Sequence, residues 1–97
     1  MRGLDVACGG VCRYDAETAE IRRMYVAPEH RGTGLSRLTL AALEDEARDL
    51  GYIRVRLETG VHQHEALGLY RSSGFEEIPR YGPYVGDELS VCFEKPL

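Results

Sequence analysis

The stretch from Met24 to Arg37, Met-Tyr-Val-Ala-Pro-Glu-His-Arg-Gly-Thr-Gly-Leu-Ser-Arg, constrains this chain more than any other. It reads as a strand, a glycine-rich turn and the start of a helix. Pro28 ends the strand, because proline has no N–H to give to a ladder. Apolar residues fall at helical spacing from Gly34 onward. Gly32 and Gly34 remove side chains where the first N–H groups of a helix lack partners. Those donors, with the positive end of the helix dipole, form an anion site, and a pyrophosphate is the expected occupant. Two other phosphate loops fit worse. A Walker-type loop needs Lys and then Ser or Thr after its last glycine, and Leu35 follows Gly34 here. The dinucleotide fingerprint needs Gly or Ala three residues after its second glycine, where this chain has Arg37. The same residues also suit a glycine-rich turn that binds nothing.

Around this turn the periodicities predict a strand, Leu4 to Tyr14, interrupted by Gly9-Gly10 and bulged in its middle. A polar turn at 15–18 joins it to a second strand, Ala19 to Ala27, making a hairpin. Alternation fails in that second strand. Arg22 and Arg23 are both charged, and Met24 to Ala27 are all apolar. A bulge has that effect, since it turns later side chains onto the other face. A helix is expected over Leu35 to Leu50, with Leu35, Leu38, Ala42, Leu43, Ala47 and Leu50 as its apolar stripe. Glu44 and Arg48 form an i,i+4 pair on it, and Gly51 is its stop. Tyr52 to Glu58 alternates, setting Ile53, Val55 and Leu57 against Arg54, Arg56 and Glu58. Strand, helix, strand implies a right-handed parallel crossover. A second helix, His62 to Ser73, turns Ala66, Leu67, Leu69 and Tyr70 to the sheet and ends at Gly74-Phe75. A short strand, Glu76 to Ile78, a loop rich in Pro, Gly and Tyr, and a strand from Leu89 to Lys95, with Leu89, Val91 and Phe93 on one face, complete the order β-β-α-β-α-β-β. Tyr81 and Tyr84 in that loop suit either a lid or plain packing.

The 97 residues are read as a single domain, 1–97. With 43% hydrophobic and 29% charged residues the chain is expected to fold. It has no apolar run of bilayer length and no leader pattern at Met1 to Asp5, so a cytoplasmic protein with no membrane partner is expected. The net charge of −4 argues against a nucleic-acid partner and is compatible with a cationic acceptor such as an amine. Cys8, Cys12 and Cys92 have no zinc spacing. They are read as small, reduced core residues, and no metal is expected. His62 and His64 lie two apart on a helix and point apart, so they too are read as solvated rather than as ligands.

Two motifs carry a family resemblance. The segment from Arg31 to Ser36, Arg-Gly-Thr-Gly-Leu-Ser, resembles the acetyl-CoA motif of the GNAT N-acetyltransferase superfamily, departing from it at Ser36, where the family has a smaller residue. The segment from Ala66 to Phe75 resembles the family's second signature, Ala-x-x-Leu-Tyr-x-x-x-Gly-Phe. The element order extends the likeness over roughly residues 17 to 97. The resemblance implies an α/β (α+β) fold with a mixed sheet and a splayed cleft for the pantetheine arm. It implies transfer of an acetyl group from acetyl-CoA to a primary amine by direct attack. The backbones of Met24 and Val26 would pair with pantetheine. Gly32, Thr33, Gly34, Leu35 and Ser36 would hold the pyrophosphate with Arg31, and Gln63 stands where relatives have a cofactor-contacting Asn. Tyr70 matches the catalytic acid, and Glu20, early on the strand beside the cleft, is the candidate base. The departure is N-terminal. The family has a strand, one or two helices and a second strand before this hairpin, and part of its acceptor site is built from them. The chain is therefore expected to be N-terminally short, with an open sheet edge that would suit a homodimer. The alternative function is a non-catalytic CoA-binding or dimerisation module.

Overall fold

The computed structural model describes residues 7–26 and 34–97, with side chains for 10–22 and 34–97. The elements are β1 (Ala7–Arg13), β2 (Thr18–Val26), α1 (Leu35–Asp49), β3 (Arg54–Gly60), α2 (His64–Ser72), β4 (Glu76–Ile78) and β5 (Ser90–Pro96), with a 3-10 turn at Gly82–Tyr84. The sheet runs β1-β2-β3-β5-β4. Among the described residues β2 and β3 alone pair in parallel, as their helical crossover requires. The order expected from the sequence is thus observed, and the fold is an open mixed α/β sheet. The part of the first expected strand before Ala7 lies outside the described residues.

The β1–β2 hairpin closes on Asp15, whose Oδ1 accepts the N–H groups of Glu17 (2.9 Å) and Thr18 (2.8 Å). These hydrogen bonds, that to Glu17 first, hold its carboxyl below the usual range. The hairpin's register shifts once. Cys8 lies opposite Tyr25 but Gly10 lies opposite Arg22, so Arg23 and Met24 together face Gly9 alone. The broken alternation of β2 is therefore a bulge in β2 itself, with Gly9 opposite it.

The second irregularity builds the cleft. β2 pairs with β3 only at Thr18–Arg54, Ala19–Val55 and Glu20–Arg56. Beyond Glu20 the strands part, although β2 continues to Val26 and β3 to Gly60. On its other side β3 stays paired with β5 along its whole length, from Arg54–Pro96 to Gly60–Ser90.

Both helices pack on one face of the sheet. Ala19, Ile21, Val55, Leu57 and Phe93 from the strands meet Leu40, Leu43 and Ala47 of α1 and Leu67 and Tyr70 of α2. This corrects the stripe expected for α1. Leu38 and Leu50 are 69% and 62% exposed, Ala42 is exposed and Leu35 half-buried, whereas Leu40 is 1% exposed. The buried face is Leu40, Leu43, Glu44 and Ala47, at spacings of three, four and seven. Glu44 belongs to it because Lys95 Nζ of β5 donates to its Oε1 at 2.8 Å. The expected Glu44–Arg48 pair does not form, and Arg48 pairs with Asp45 at 2.7 Å. Ile53 and Leu89 also turn outward, 51% and 63% exposed, because each precedes the first residue of its strand.

Each helix ends on a left-handed glycine. After α2, Gly74 has φ 92°, and the N–H groups of Phe75 and Gly74 donate to the carbonyls of Tyr70 (3.0 Å) and Arg71 (3.3 Å). After α1, Tyr52 and Gly51 bond Ala47 and Arg48 in the same way. Both are Schellman endings. Of the cysteines expected in the core, Cys92 is buried but Cys12 is exposed, lying opposite Glu20 on the sheet face away from the helices. The Cys8 side chain is outside the described residues.

Candidate active site

Where β2 and β3 part, a cleft of about 500 Å³ opens. Its lining comes from both faces of the sheet. Ile21, Leu57, Ala66 and Tyr70 belong to the side that carries the helices, while Glu20, Arg22, Glu58 and Tyr84 belong to the other. Alternation along a strand explains this division. Neighbouring residues such as Leu57 and Glu58 point to opposite faces. Once the strands separate, both faces border one slot. A group entering from the helix side meets a group entering from the opposite side.

Tyr70 stands on the helix side. It is 7% exposed and packs edge-on to Phe75, with ring centroids 5.7 Å apart. Burial, and secondly the negative charge of Glu58, raise its pKa above the ordinary tyrosine value. The phenol therefore stays protonated at neutral pH and can donate a hydrogen bond.

Glu20 stands on the other side, 5% exposed. Both carboxylate oxygens have donors. Arg22 Nε bonds Oε1 at 2.8 Å, and the Tyr81 hydroxyl bonds Oε2 at 2.9 Å. Burial, with Glu20 beside it, pushes the Tyr81 phenol far up. Tyr81 is thus a buried prop and not a lid. Tyr84, which meets Tyr81 edge-on at 5.5 Å, is the loop tyrosine that lines the cleft.

Glu58 and Arg22 were not singled out as site residues from the sequence. Glu58 lies two residues before β3 ends, in the unpaired part of the slot. Its Oε2 is 2.8 Å from Ser90 Oγ, which also lies 3.1 Å from Asp87 Oδ2. One hydroxyl proton serves one of these carboxylates at a time. The only signal in the sequence was strict alternation, which put Glu58 opposite the core.

Beyond β2, α1 has Gly34 as its N-cap, with φ 87°, and no described side chain caps it. A Cβ built on Gly34 would meet nothing within 4 Å. The glycine is favoured by its backbone angle, and no described residue crowds it. Leu35 and Ser36 supply the first two N–H groups of that helix. Gln63 immediately precedes α2 and lines the cleft. Met24 lies in the bulge of β2 and Val26 beyond it, where the backbone is described. Arg31, Gly32 and Thr33 are outside the described residues. The structure thus brings Tyr70, Glu20 and Gln63 together around one cleft. Arg37, not expected to act, ties the start of α1 to the end of α2 through Ser72 (2.9 Å) and Ser73 (3.1 Å).

The chain is thus an open mixed α/β domain whose parallel strand pair splays into a cleft, with the N-terminus of α1 following β2 in the chain. The sequence profile of the acetyltransferase (GNAT) family matches residues 6–75, and the chain belongs to that family. It is 43% identical over 97 residues to a protein named IAA acetyltransferase from Azospirillum brasilense, covering 98% of this chain and 63% of the relative. A crystal structure of a Klebsiella pneumoniae protein described as an acyl-CoA N-acyltransferase superposes with a TM-score of 0.90 at 43% identity, covering 95% of this chain and 63% of that one. A GNAT family acetyltransferase from Elizabethkingia anophelis, solved with acetyl-CoA bound, has the same fold (TM-score 0.83, 20% identity, 95% of this chain and 69% of that one). The chain thus spans less than two thirds of the length of the first two proteins.

Proposed function

We propose that this chain transfers an acetyl group from acetyl-CoA to a primary amine by direct attack. The observation that carries the reading is the slot lined from both faces, with a protonated tyrosine on one side and carboxylates on the other. Acetyl-CoA would lie along β2. Its pantetheine amides would pair with the Met24 and Val26 backbones, and Gln63 would reach it from across the cleft. Its pyrophosphate would meet the N–H groups of Gly32, Thr33, Gly34, Leu35 and Ser36 and the charge of Arg31.

The neutral amine nitrogen attacks the thioester carbonyl carbon. A C–N bond forms and the C–S bond breaks. The nitrogen gives up a proton and the sulfur leaves as a thiolate. Tyr70 would donate to that sulfur and be reprotonated from water. The base assigned to Glu20 from its sequence position passes to Glu58 in this proposal. Both Glu20 oxygens already accept hydrogen bonds, from the Arg22 guanidinium and the Tyr81 phenol, and are turned to those partners. Glu58 instead stands in the open slot close enough to raise the Tyr70 pKa. The reaction is placed in the cytoplasm as part of the same proposal.

The test is CoA release from acetyl-CoA over a panel of small primary amines. At least one amine should be acetylated, and Glu58→Gln should lower kcat by roughly 10²-fold or more. Binding of acetyl-CoA without transfer to any amine would favour the alternative, a non-catalytic CoA-binding or dimerisation module.

A further inference from the structure

The side of the cleft away from the helices carries two carboxylates, Glu20 and Glu58, and one guanidinium, Arg22. The Arg22 side chain is 52% exposed, although the side chain of Glu20, which holds it, is 7% exposed. A strand that buries a carboxylate in this way fixes the guanidinium beside it. Tyr81 donates to one oxygen of Glu20, and the other oxygen takes the Arg22 Nε–H. That uses one of the five donors a guanidinium carries, and it sets the plane in which the rest of the fork lies. Tyr84 senses all three charges. Burial raises its pKa first, then Glu20 and Glu58 raise it, while Arg22 lowers it.

Resting on the acetyl-transfer reading, we propose that Arg22, oriented by Glu20, is a carboxylate-binding subsite, and that the acceptor is a free amino acid. Its amine faces Glu58 and Tyr70, and its carboxylate meets the Arg22 fork in the paired geometry that guanidinium and carboxylate favour. A cleft of about 500 Å³ suits a small molecule. A zwitterion meets a partner for each of its charges, whereas a simple alkylamine would leave the remaining donors of the Arg22 fork to water.

The experiment compares the twenty amino acids with their carboxamides, which keep the amine and lose the negative charge. Binding is followed by ligand-observed NMR, and transfer by CoA release, on wild type and Arg22→Gln. At least one amino acid should be favoured over its amide by roughly 10- to 100-fold in affinity or kcat/KM. Arg22→Gln should abolish that preference by weakening the acid and not the amide, and Arg22→Lys should restore part of it. Equal binding of acid and amide, preference for the amide, or binding of neither overturns the subsite. The wild-type comparison decides even where a variant does not fold. Acetyl-CoA is titrated in parallel. Its failure to bind wild type would sink the acetyl-transfer reading, whereas acetyl-CoA binding without acid preference sinks the carboxylate subsite alone.

Discussion

Tyr70 and Tyr81 are both buried phenols with raised pKa values, yet they serve different ends. Tyr81 donates to a buried carboxylate, a charge-assisted bond at 2.9 Å. Tyr81→Phe should cost about 1.5–3 kcal/mol in urea denaturation, because Glu20 is left short of a donor. The pH dependence has a definite sign. The folded pKa of Tyr81 lies above the unfolded value of about 10. Its contribution is therefore complete below pH of about 10 and is lost as pH rises toward the folded pKa. The alkaline loss of stability should be shallower in Tyr81→Phe. Tyr70 is read through activity. Tyr70→Phe should lower kcat by about 10²-fold while acetyl-CoA affinity is kept; unchanged turnover at all pH values would remove the donor role. Since Glu58 contributes to the raised Tyr70 pKa, ultraviolet titration of Glu58→Gln should find the Tyr70 phenol ionising at lower pH than in wild type.

At the scale of the element, α1 gives the sharpest stability test. Leu40→Ala should cost about 2–5 kcal/mol, and Leu38→Ala should stay within about 0.5 kcal/mol, both measured by urea denaturation. The reverse ranking would restore the stripe expected from the sequence. Two apolar stripes overlap in Leu35–Leu50, and periodicity alone does not rank them. What selects the observed one is Lys95, 51 residues from Glu44, which allows that carboxylate onto the buried face. Gly34 belongs to the same element. Replacing it with Ala should cost about 1–2 kcal/mol, the strain of a left-handed residue with a Cβ, and should weaken acetyl-CoA binding. The strands, the two glycine stops and the place of Tyr70 were legible, because alternation, Gly-Phe and Leu-Tyr are local signals. Arg22 and Glu58 were not legible as partners across a slot. That pairing depends on β2 leaving β3 just after Glu20, and register between distant strands is not a local property.

For the whole molecule, the parting of one parallel strand pair does most to connect fold with chemistry. Closed pairing from Glu20 to Val26 would give a continuous sheet whose two faces never meet. Splaying lets Tyr70 on the helix side and Glu58 and Arg22 on the other line one cleft. The bulge at Arg23-Met24 falls in the stretch of β2 that has left β3, and α1 begins with an uncapped glycine beyond it. Pantetheine along the strand and pyrophosphate at the helix are thus two ends of one proposed track. The central claim is that this track holds a CoA thioester. Its most direct test is a calorimetric titration of the 97-residue chain with acetyl-CoA, with CoA and desulfo-CoA alongside. One site with micromolar affinity is expected, retained by CoA and desulfo-CoA because the pyrophosphate and pantetheine contacts do not need the sulfur. A chain that is folded by circular dichroism and binds none of the three would contradict it.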